Sequence, residues 1–491
     1  MAKEILGIRH ILGLKVKDLR MNMNLSYLEL SGKTGLSVSY LSEIEKGKKY
    51  PKGDKILSLA KALNVDYDYL VSLKVSKKLE PIVDLLNSDF FKDFPLELFG
   101  LEAQKVIEIL SVAPEKLNAF VKSIQQIARN YEMNNEQFYH AALRSYQELN
   151  NNYVKDVEEK VTAFKNQFGL NAVQTSTKEL VDILKNYFNI EVDNEALGEI
   201  EILKHVRSHF NKKEHVLKIN KGLSSAQVNF LLARELAFAY MSLDKRPLET
   251  PPQADLSFEA LLNNYKASYF SAALLINEDA LKEDIKKLES IEKWDNTFLP
   301  DLLDKFNVTP EMLMQRLTNL LPKHFNLKNL FFLRFVGRPD KNYYKLTKEL
   351  HLNGLYSPHT NETNEHYCRR WLAINLMNKV NEKVALNKSA ILSDAQISNY
   401  WESEDEYLMM TLSFPNATKK EYVISISIGF QIDKQLKSKI NFLTDPNLPK
   451  VTVHTTCERC NVQDCAERQS PPFVYNQIQN NIKVVNTLEG L

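Results

Sequence analysis

The stretch Ser26-Tyr-Leu-Glu-Leu-Ser-Gly-Lys-Thr-Gly35-Leu-Ser37-Val-Ser-Tyr-Leu-Ser-Glu-Ile-Glu-Lys46-Gly-Lys-Lys49 decides how the N-terminal part of the chain folds. Ser26 is placed to cap a helix over Tyr27–Lys33. Gly35 follows at a tight turn, where a positive φ is easiest for glycine. Ser37 caps the next helix, Val38–Lys46, and Gly47 ends it. Working outward, Leu14–Met23 is an amphipathic helix before this pair, and Lys55–Leu63 and Tyr67–Leu73 follow it. Leu30, Leu36, Leu41, Ile44, Ile56, Leu59, Ala60 and Leu63 recur at the spacing of a shared core. The expectation is five short helices around one small apolar centre.

The order of caps, turn and apolar positions resembles the phage-repressor (XRE) helix-turn-helix family. The resemblance implies that the third helix enters the major groove of a double-stranded DNA operator. Ser37, Val38, Ser39 and Tyr40 would then read bases, with Glu43 one turn further on. Lys46, Lys48, Lys49 and Lys52 would hold phosphates. This sequence departs from many relatives at Tyr27, where they carry a DNA-contacting Gln. Charge agrees with a polyanion partner: residues 1–78 carry a net charge of +7 and the other 413 residues −6. A basic module is joined to an acidic body.

The whole chain has 491 residues, room for roughly three domains at about 150 residues each. Only 14 Gly and 17 Pro exclude collagen-like and low-complexity classes, and 44% hydrophobic with 25% charged residues are globular proportions. No apolar run is long enough for a membrane span, and Met1–Gly7 lacks a signal-peptide core. The expected location is the cytoplasm, with no membrane partner, where four cysteines are ligands or buried thiols rather than disulfides.

Helical periodicity continues beyond residue 78, through Leu101–Leu110, Leu117–Met133 and a long run from Asn135 to Phe164. The Phe-rich segment Ser88–Gly100 fits either core packing or a dimerisation surface. A homodimer is expected because helix-turn-helix proteins usually read paired half-sites.

A second resemblance lies in the middle of the chain. Val216–Asn220 reads as a strand, Ser224 caps a helix running to Met241, and a further helix spans Leu261–Ile276 with Tyr269-Phe-Ser-Ala-Ala-Leu-Leu-Ile276 at its end. This order resembles the ImmA/IrrE peptidase-like family. There a His-Glu-x-x-His helix supplies two zinc ligands, and an acid on the second helix supplies the third. Here Arg234 and Phe238 stand at the two His positions and Lys266 at the acid, so Glu235 alone survives. Two cations and a phenyl ring do not ligate zinc. The expectation is a fold without enzyme activity whose former metal position is cationic and suited to an anion. In the plainer alternative, Glu235 is paired internally with Arg234 or Lys266.

All four cysteines lie in two C-terminal motifs, His366-Tyr-Cys368-Arg-Arg-Trp371 and Cys457-Glu-Arg-Cys460-Asn-Val-Gln-Asp-Cys465-Ala-Glu-Arg468. Cys-x2-Cys-x4-Cys brings three thiolates into one loop, and Cys368 is the available fourth. Four thiolates suit an iron–sulfur cluster or a structural zinc. His454 or His366 can replace a cysteine in a zinc site, and unligated buried thiols are the bland reading. Arg369, Arg459 and Arg468 are expected to lower the thiolate pKa values. Strand-like Leu330–Phe335 and Tyr422–Ile428 mark this region as mixed α/β.

Taken in order, these features resemble the short-chain fatty acid transcriptional regulators, the group around the actinobacterial regulators of propionate and glyoxylate metabolism. The resemblance implies an acyl-CoA effector and a [4Fe–4S] cluster on Cys368, Cys457, Cys460 and Cys465. Candidate cations for CoA are Lys204, Arg207, Arg234 and Lys266. Tyr269 stands with Phe230, Phe238 and Phe270 as a wall for the acyl chain or as plain core. The fold expected is α+β and predominantly α: a five-helix lambda-repressor-like module at 1–78, a helical connector at 79–150, an ImmA/IrrE-like (zincin-like) domain without its metal ligands at 151–290, and a mixed α/β sensor domain at 291–491. The rival functions are a redox or iron sensor without an organic effector and a repressor-cleaving peptidase.

Overall fold

The computed structural model describes residues 8–75, 135–170, 172–253, 256–352, 365–386, 391–417, 419 and 421–490. The chain divides into two units, Met1–Tyr146 with Asp255–Leu262 and Gln147–Ala254 with Asn263–Leu491. The fold is mixed α+β, with helices dominant. The expected segments Ser88–Gly100, Leu101–Leu110 and Leu117–Met133 lie outside the described residues.

The first unit opens with the five expected helices: α1 Ile8–Asn22, α2 Tyr27–Thr34, α3 Val38–Glu45, α4 Gly53–Ala62 and α5 Tyr67–Val71. The caps act as read. The Ser26 side chain accepts from Glu29 N and Glu29 reaches back to Ser26 N, closing a capping box. Ser37 accepts from Tyr40 N. Gly35 and Gly47 have φ of +72° and +67°. Leu12, Leu30, Leu41, Ile44, Leu59 and Leu70 form the buried centre. Gly13 lets α1 lie directly on the end of α3: a Cβ there would meet the carbonyl oxygens of Ile44 and of Glu45, the latter at 2.8 Å.

The long helix expected from Asn135 to Phe164 is two helices, α6 Asn135–Leu149 and α7 Lys155–Phe168. Asn151 and Asn152 break it with φ of +47° and +52°, a left-handed conformation that asparagine tolerates without needing Gly or Pro.

The second unit continues with α8 Thr177–Phe188, β1 Glu191–Asp193, β2 Ser208–Asn211, β3 Val216–Ile219, α9 Ser225–Tyr240, β4 Glu249–Thr250 and α10 Phe258–Leu275, whose first turns belong to the first unit. The four strands order β1-β3-β2-β4, with β1 parallel to β3 and the other pairs antiparallel. Ser224 and Gln227 form a capping box that starts α9. That helix is apolar around most of its circumference, and Leu231 to Phe238 are all buried, as a central helix requires.

Next come α11 Glu278–Ser290, α12 Phe298–Phe306 and α13 Pro310–His324. They lead into β5 Leu330–Arg338, β6 Tyr343–His351, α14 Leu372–Ala385, β7 Leu392–Tyr400, β8 Glu406–Pro415, β9 Val423–Gln431, α15 Lys434–Lys439, β10 Lys450–Val453 and α16 Phe473–Glu489. The sheet order is β10-β7-β8-β9-β5-β6. It is antiparallel except for β10 beside β7. Period-2 alternation splits β5: Phe331, Leu333 and Phe335 face a layer with Trp371, Ile374 and Met377 of the α14 region, whereas Leu330 and Phe332 join the main core. That core runs without interruption from Val154 to Leu448, so the segments on either side of residue 290 share one interior. Among the described residues no helix is long and apolar enough to cross a membrane.

Candidate nucleic-acid interface, cationic basin and cysteine corner

α3 presents the N-terminal turn that the sequence assigns to base contacts. Ser37, Val38 and Ser39 are exposed, as are Lys46, Lys48, Lys49 and Lys52, while Glu43 is half-buried. Val38 is 41% exposed, an apolar side chain standing in water at the tip of the helix. The Ser37 oxygen is engaged as the helix cap, which leaves its hydroxyl proton to donate. Tyr40 is half-buried under the Lys55 ammonium, 4.6 Å from its ring centroid, and is partly structural.

Tyr27 does not replace the missing Gln on the surface. Its hydroxyl donates to Glu45 Oε2 at 2.7 Å, and the Arg20 guanidinium lies 4.2 Å from its ring. Arg20 grips Glu45 through Nε at 2.6 Å and Nη2 at 3.0 Å, and also donates to the Leu25 carbonyl. Burial, then the bond to Glu45, pushes the Tyr27 hydroxyl up to about 12. This buried triad ties α1, α2 and the end of α3 together, fixing the angle at which α3 is presented.

The degenerate metal position is filled by ion pairs. Glu235 accepts from both terminal nitrogens of Arg246, at 2.5 and 2.7 Å. The Arg246 guanidinium lies 4.5 Å from the Phe210 ring centroid and 4.3 Å from that of Phe238. The expected partners of Glu235, Arg234 or Lys266, are therefore corrected to Arg246. Neighbours on a helix point about 100° apart and do not face each other. Lys266 turns to Asp156, 3.8 Å away. Arg234 donates to Thr250 Oγ1, with Asn264 Oδ1 at 3.4 Å. Burial pulls Arg234 down to about 10.

The other effector candidates separate in the same way. Lys204 is exposed and pairs with Glu201. Tyr269 donates to Glu158 at 2.6 Å, inside a buried pair of Glu158 with Arg316. Phe238 and Phe270 are core residues. Only Arg207 joins Arg234. It is half-buried, burial depresses its pKa, and its side chain has no hydrogen-bond partner among the described residues.

Arg207 also stands within the electrostatic field of Arg334 and Glu311. Glu311 pairs with Arg334 at 3.3 Å and with Lys348. Burial opposes its ionisation, yet Lys348 and Arg334 hold it down to about 2. The result is a cationic basin in which Arg207, Arg334 and Lys348 surround one carboxylate, Glu311, and Arg207 also faces the field of Arg234, since Glu235 is taken by Arg246. The sequence pattern missed Arg334, Lys348 and Glu311 because α13 and strands β5 and β6 bring them from about 100 residues further along the chain.

The cysteine corner is built on a short antiparallel pairing. Tyr367 bridges Thr456, Cys368 N donates to Thr455 O at 3.1 Å and Cys457 N to His366 O at 2.9 Å. Cys368 thus reaches the C-terminal motif that the sequence left distant. All four thiols are free; Cys368, Cys457 and Cys460 are buried and Cys465 partly so. Burial raises the Cys368 pKa, and Cys457 and Cys460 add to the effect. That reverses the expectation that nearby arginines lower it. Arg459 is held by Glu365 at 2.6 and 2.8 Å. Arg468 donates to the carbonyls of Cys457, Cys460, Val462 and Ser470, and Arg369 to Asn342 and Tyr367. His366 Nδ1 bonds Glu458 Oε1 at 2.7 Å, and His454 Nδ1 accepts from Thr455 N. Among the described residues no three His, Cys, Asp or Glu side chains already surround a cation position. Cys368, Cys457 and Cys460 lie near enough to interact, and thiols are the donor type that zinc and iron–sulfur clusters take.

Comparison with known proteins bears on the first two of these regions. A Mycobacterium tuberculosis transcriptional regulator is similar in structure, with a TM-score of 0.48 and 16% identity, covering 68% of this chain and 93% of that one. No curated protein matches the chain. Residues 16–70 match the helix-turn-helix family and residues 186–318 the IrrE N-terminal-like domain family. The chain carries a helix-turn-helix DNA-binding module followed by an IrrE-like domain in which Glu235 is paired with Arg246.

Proposed function

We propose that this protein is a sequence-specific DNA-binding transcriptional regulator, a homodimer whose α3 helices read a double-stranded operator and whose body senses a short-chain acyl-CoA. The DNA reading is carried by the exposed N-terminal turn of α3 and the exposed lysines that follow its C-terminal end. The effector reading is carried by the basin: like charges held together at partial burial cost free energy that a bound anion offsets. The phosphates of CoA match guanidinium groups in a fork geometry. An effector changes operator affinity only through different affinities for the two states of the protein. Cys368, Cys457, Cys460 and Cys465 would hold a [4Fe–4S] cluster, or zinc in its place; a cluster supplies one-electron exchange and zinc a structural clip.

The test is a calorimetric titration of acetyl-CoA, propionyl-CoA and free CoA into the wild-type chain and Arg207→Ala, with operator binding followed in parallel. Binding weakened at least about tenfold in the variant, with a matching change in operator affinity, is the expected result. No heat with any CoA species refutes the effector reading. Operator release on oxidation alone would favour a redox sensor.

A further inference from the structure

We propose that α16, Phe473–Glu489, is a self-association helix that lies seam to seam against the same helix of a second copy of this chain. The inference rests on the homodimer reading and names the surface that reading lacks. No residue of α16 is buried. Ile478, Ile482, Val485 and Leu488 are 47%, 46%, 52% and 64% exposed. Tyr475, Ile478, Ile482 and Val485 recur at the three-four-three spacing of a coiled-coil seam.

The occupant follows from charge and from how the helix is mounted. The residues beside the seam, Gln479, Asn481 and Asn486, are uncharged; Lys483 lies off it, and Glu489 continues it only at the last residue of the helix. Laid antiparallel, two identical seams keep their Glu489 carboxylates at opposite ends and meet without repulsion, whereas a strongly charged partner finds little complement. The root of the helix is fixed to the cysteine corner, where Tyr475 N donates to Glu458 O at 3.1 Å. Beyond it the helix is exposed, and helices in proteins draw most of their stability from packing an amphipathic face. Seventeen residues make a rod of about 25 Å. Its apolar side chains bury on the order of 1,000 Å² across two copies, the lower bound for a specific interface. That is a weak dimer, suited to a protein whose two DNA-binding modules are held together further by paired half-sites.

The experiment is sedimentation equilibrium of the full chain over a concentration series. It compares wild type with Ile478→Asp/Ile482→Asp, with Ile482→Lys as a second seam variant and Asn480→Asp on the opposite face as control. The expected result is a dimer whose dissociation constant rises at least about tenfold in both seam variants and not in the control, with unchanged thermal midpoints for the body. A seam variant that stays as dimeric as wild type overturns the surface assignment and leaves the homodimer reading standing. A wild-type chain that is monomeric throughout overturns both.

Discussion

Glu235 is the one residue of the metallopeptidase signature that this chain retains, and its environment predicts a stability role. Both of its oxygens are held by Arg246, and the two side chains are 5% and 8% exposed. Replacing Glu235 with alanine strands the guanidinium between Phe210 and Phe238. An uncompensated buried ion costs ~3–5 kcal/mol, a large share of the roughly 5–15 kcal/mol that holds a domain together. At about 2–4 °C per kcal/mol for a large domain, the thermal midpoint should fall by ~10 °C. Arg246→Ala should cost as much, since it leaves a buried carboxylate. Glu235→Ala/Arg246→Ala removes both charges and should cost far less than the sum of the two single changes, giving a coupling of at least ~2 kcal/mol. The assay is urea unfolding of the full chain for all four corners of the cycle. Single variants within ~1 kcal/mol of wild type, or strictly additive effects, would refute the structural role. A Glu235→Gln variant with unchanged stability and lost proteolysis would restore the peptidase reading.

Three further outcomes follow from other sites. Gly13→Ala drives a methyl group into the backbone of Ile44 and Glu45. It should shift α3 and weaken operator binding at least about tenfold, measured by fluorescence anisotropy; an unchanged affinity would show that α1 does not set the angle of α3. Lys48→Gln/Lys49→Gln should lower the slope of log affinity against log salt by about 0.9 for each phosphate no longer neutralised, without changing sequence preference, whereas Val38→Ala should change preference. Lys165 is pushed down to about 8 by burial. Below that pH the protonated side chain destabilises the fold in full. Between pH 8 and about 10.5 the unfolded chain binds the proton that the folded chain releases, so stability rises with pH. Lys165→Met should raise the unfolding free energy measured in urea at pH 7 by an amount on the order of 1–3 kcal/mol, and the gain should vanish near pH 10.5; a gain independent of pH would contradict the assignment.

What could be read in the sequence was local. The Ser26 and Ser37 caps, Gly35 and Gly47, and the strand and two helices around Ser224 all act within a few residues of themselves, where propensity and capping decide. The break at Asn151–Asn152 was hidden because asparagine gives a weaker stop signal than Gly or Pro. β6, β7 and β8 carry polar residues on both faces, which blurs the apolar alternation, so their register is set by pairing within the sheet. The same limit applied to the sites. The metal-ligand substitutions at Arg234, Phe238 and Lys266 were visible as residue types. The partners that satisfy them, Arg246, Thr250 and Asp156, depend on tertiary placement. Cys368 meets Cys457 only because Tyr367 bridges Thr456 across about 90 intervening residues.

The IrrE-like helix α9 and the cysteine corner should respond differently to chelation. In a zinc-bound peptidase fold the ion ties the signature helix to the next one, and ligand binding is linked to folding. Here α9 is tied instead by Arg234 to β4 and by Glu235 to the loop carrying Arg246. Those bonds need no ion, so removing metal has nothing to release in residues 225–240. The cysteine corner has the opposite character. Its backbone pairing brings Cys368 to Cys457, but burial disfavours the thiolate in Cys368 until a cation offsets the charge. Prolonged chelation of protein purified without oxygen should therefore speed hydrogen exchange in residues 365–371 and 454–470 and leave residues 225–240 unchanged. Faster exchange in α9 as well would mean that an ion stabilises the IrrE-like domain after all, and the ion-pair account of its degenerate site would fail. No change in either region would remove the cysteine centre from the proposed mechanism and leave its four thiols as packing.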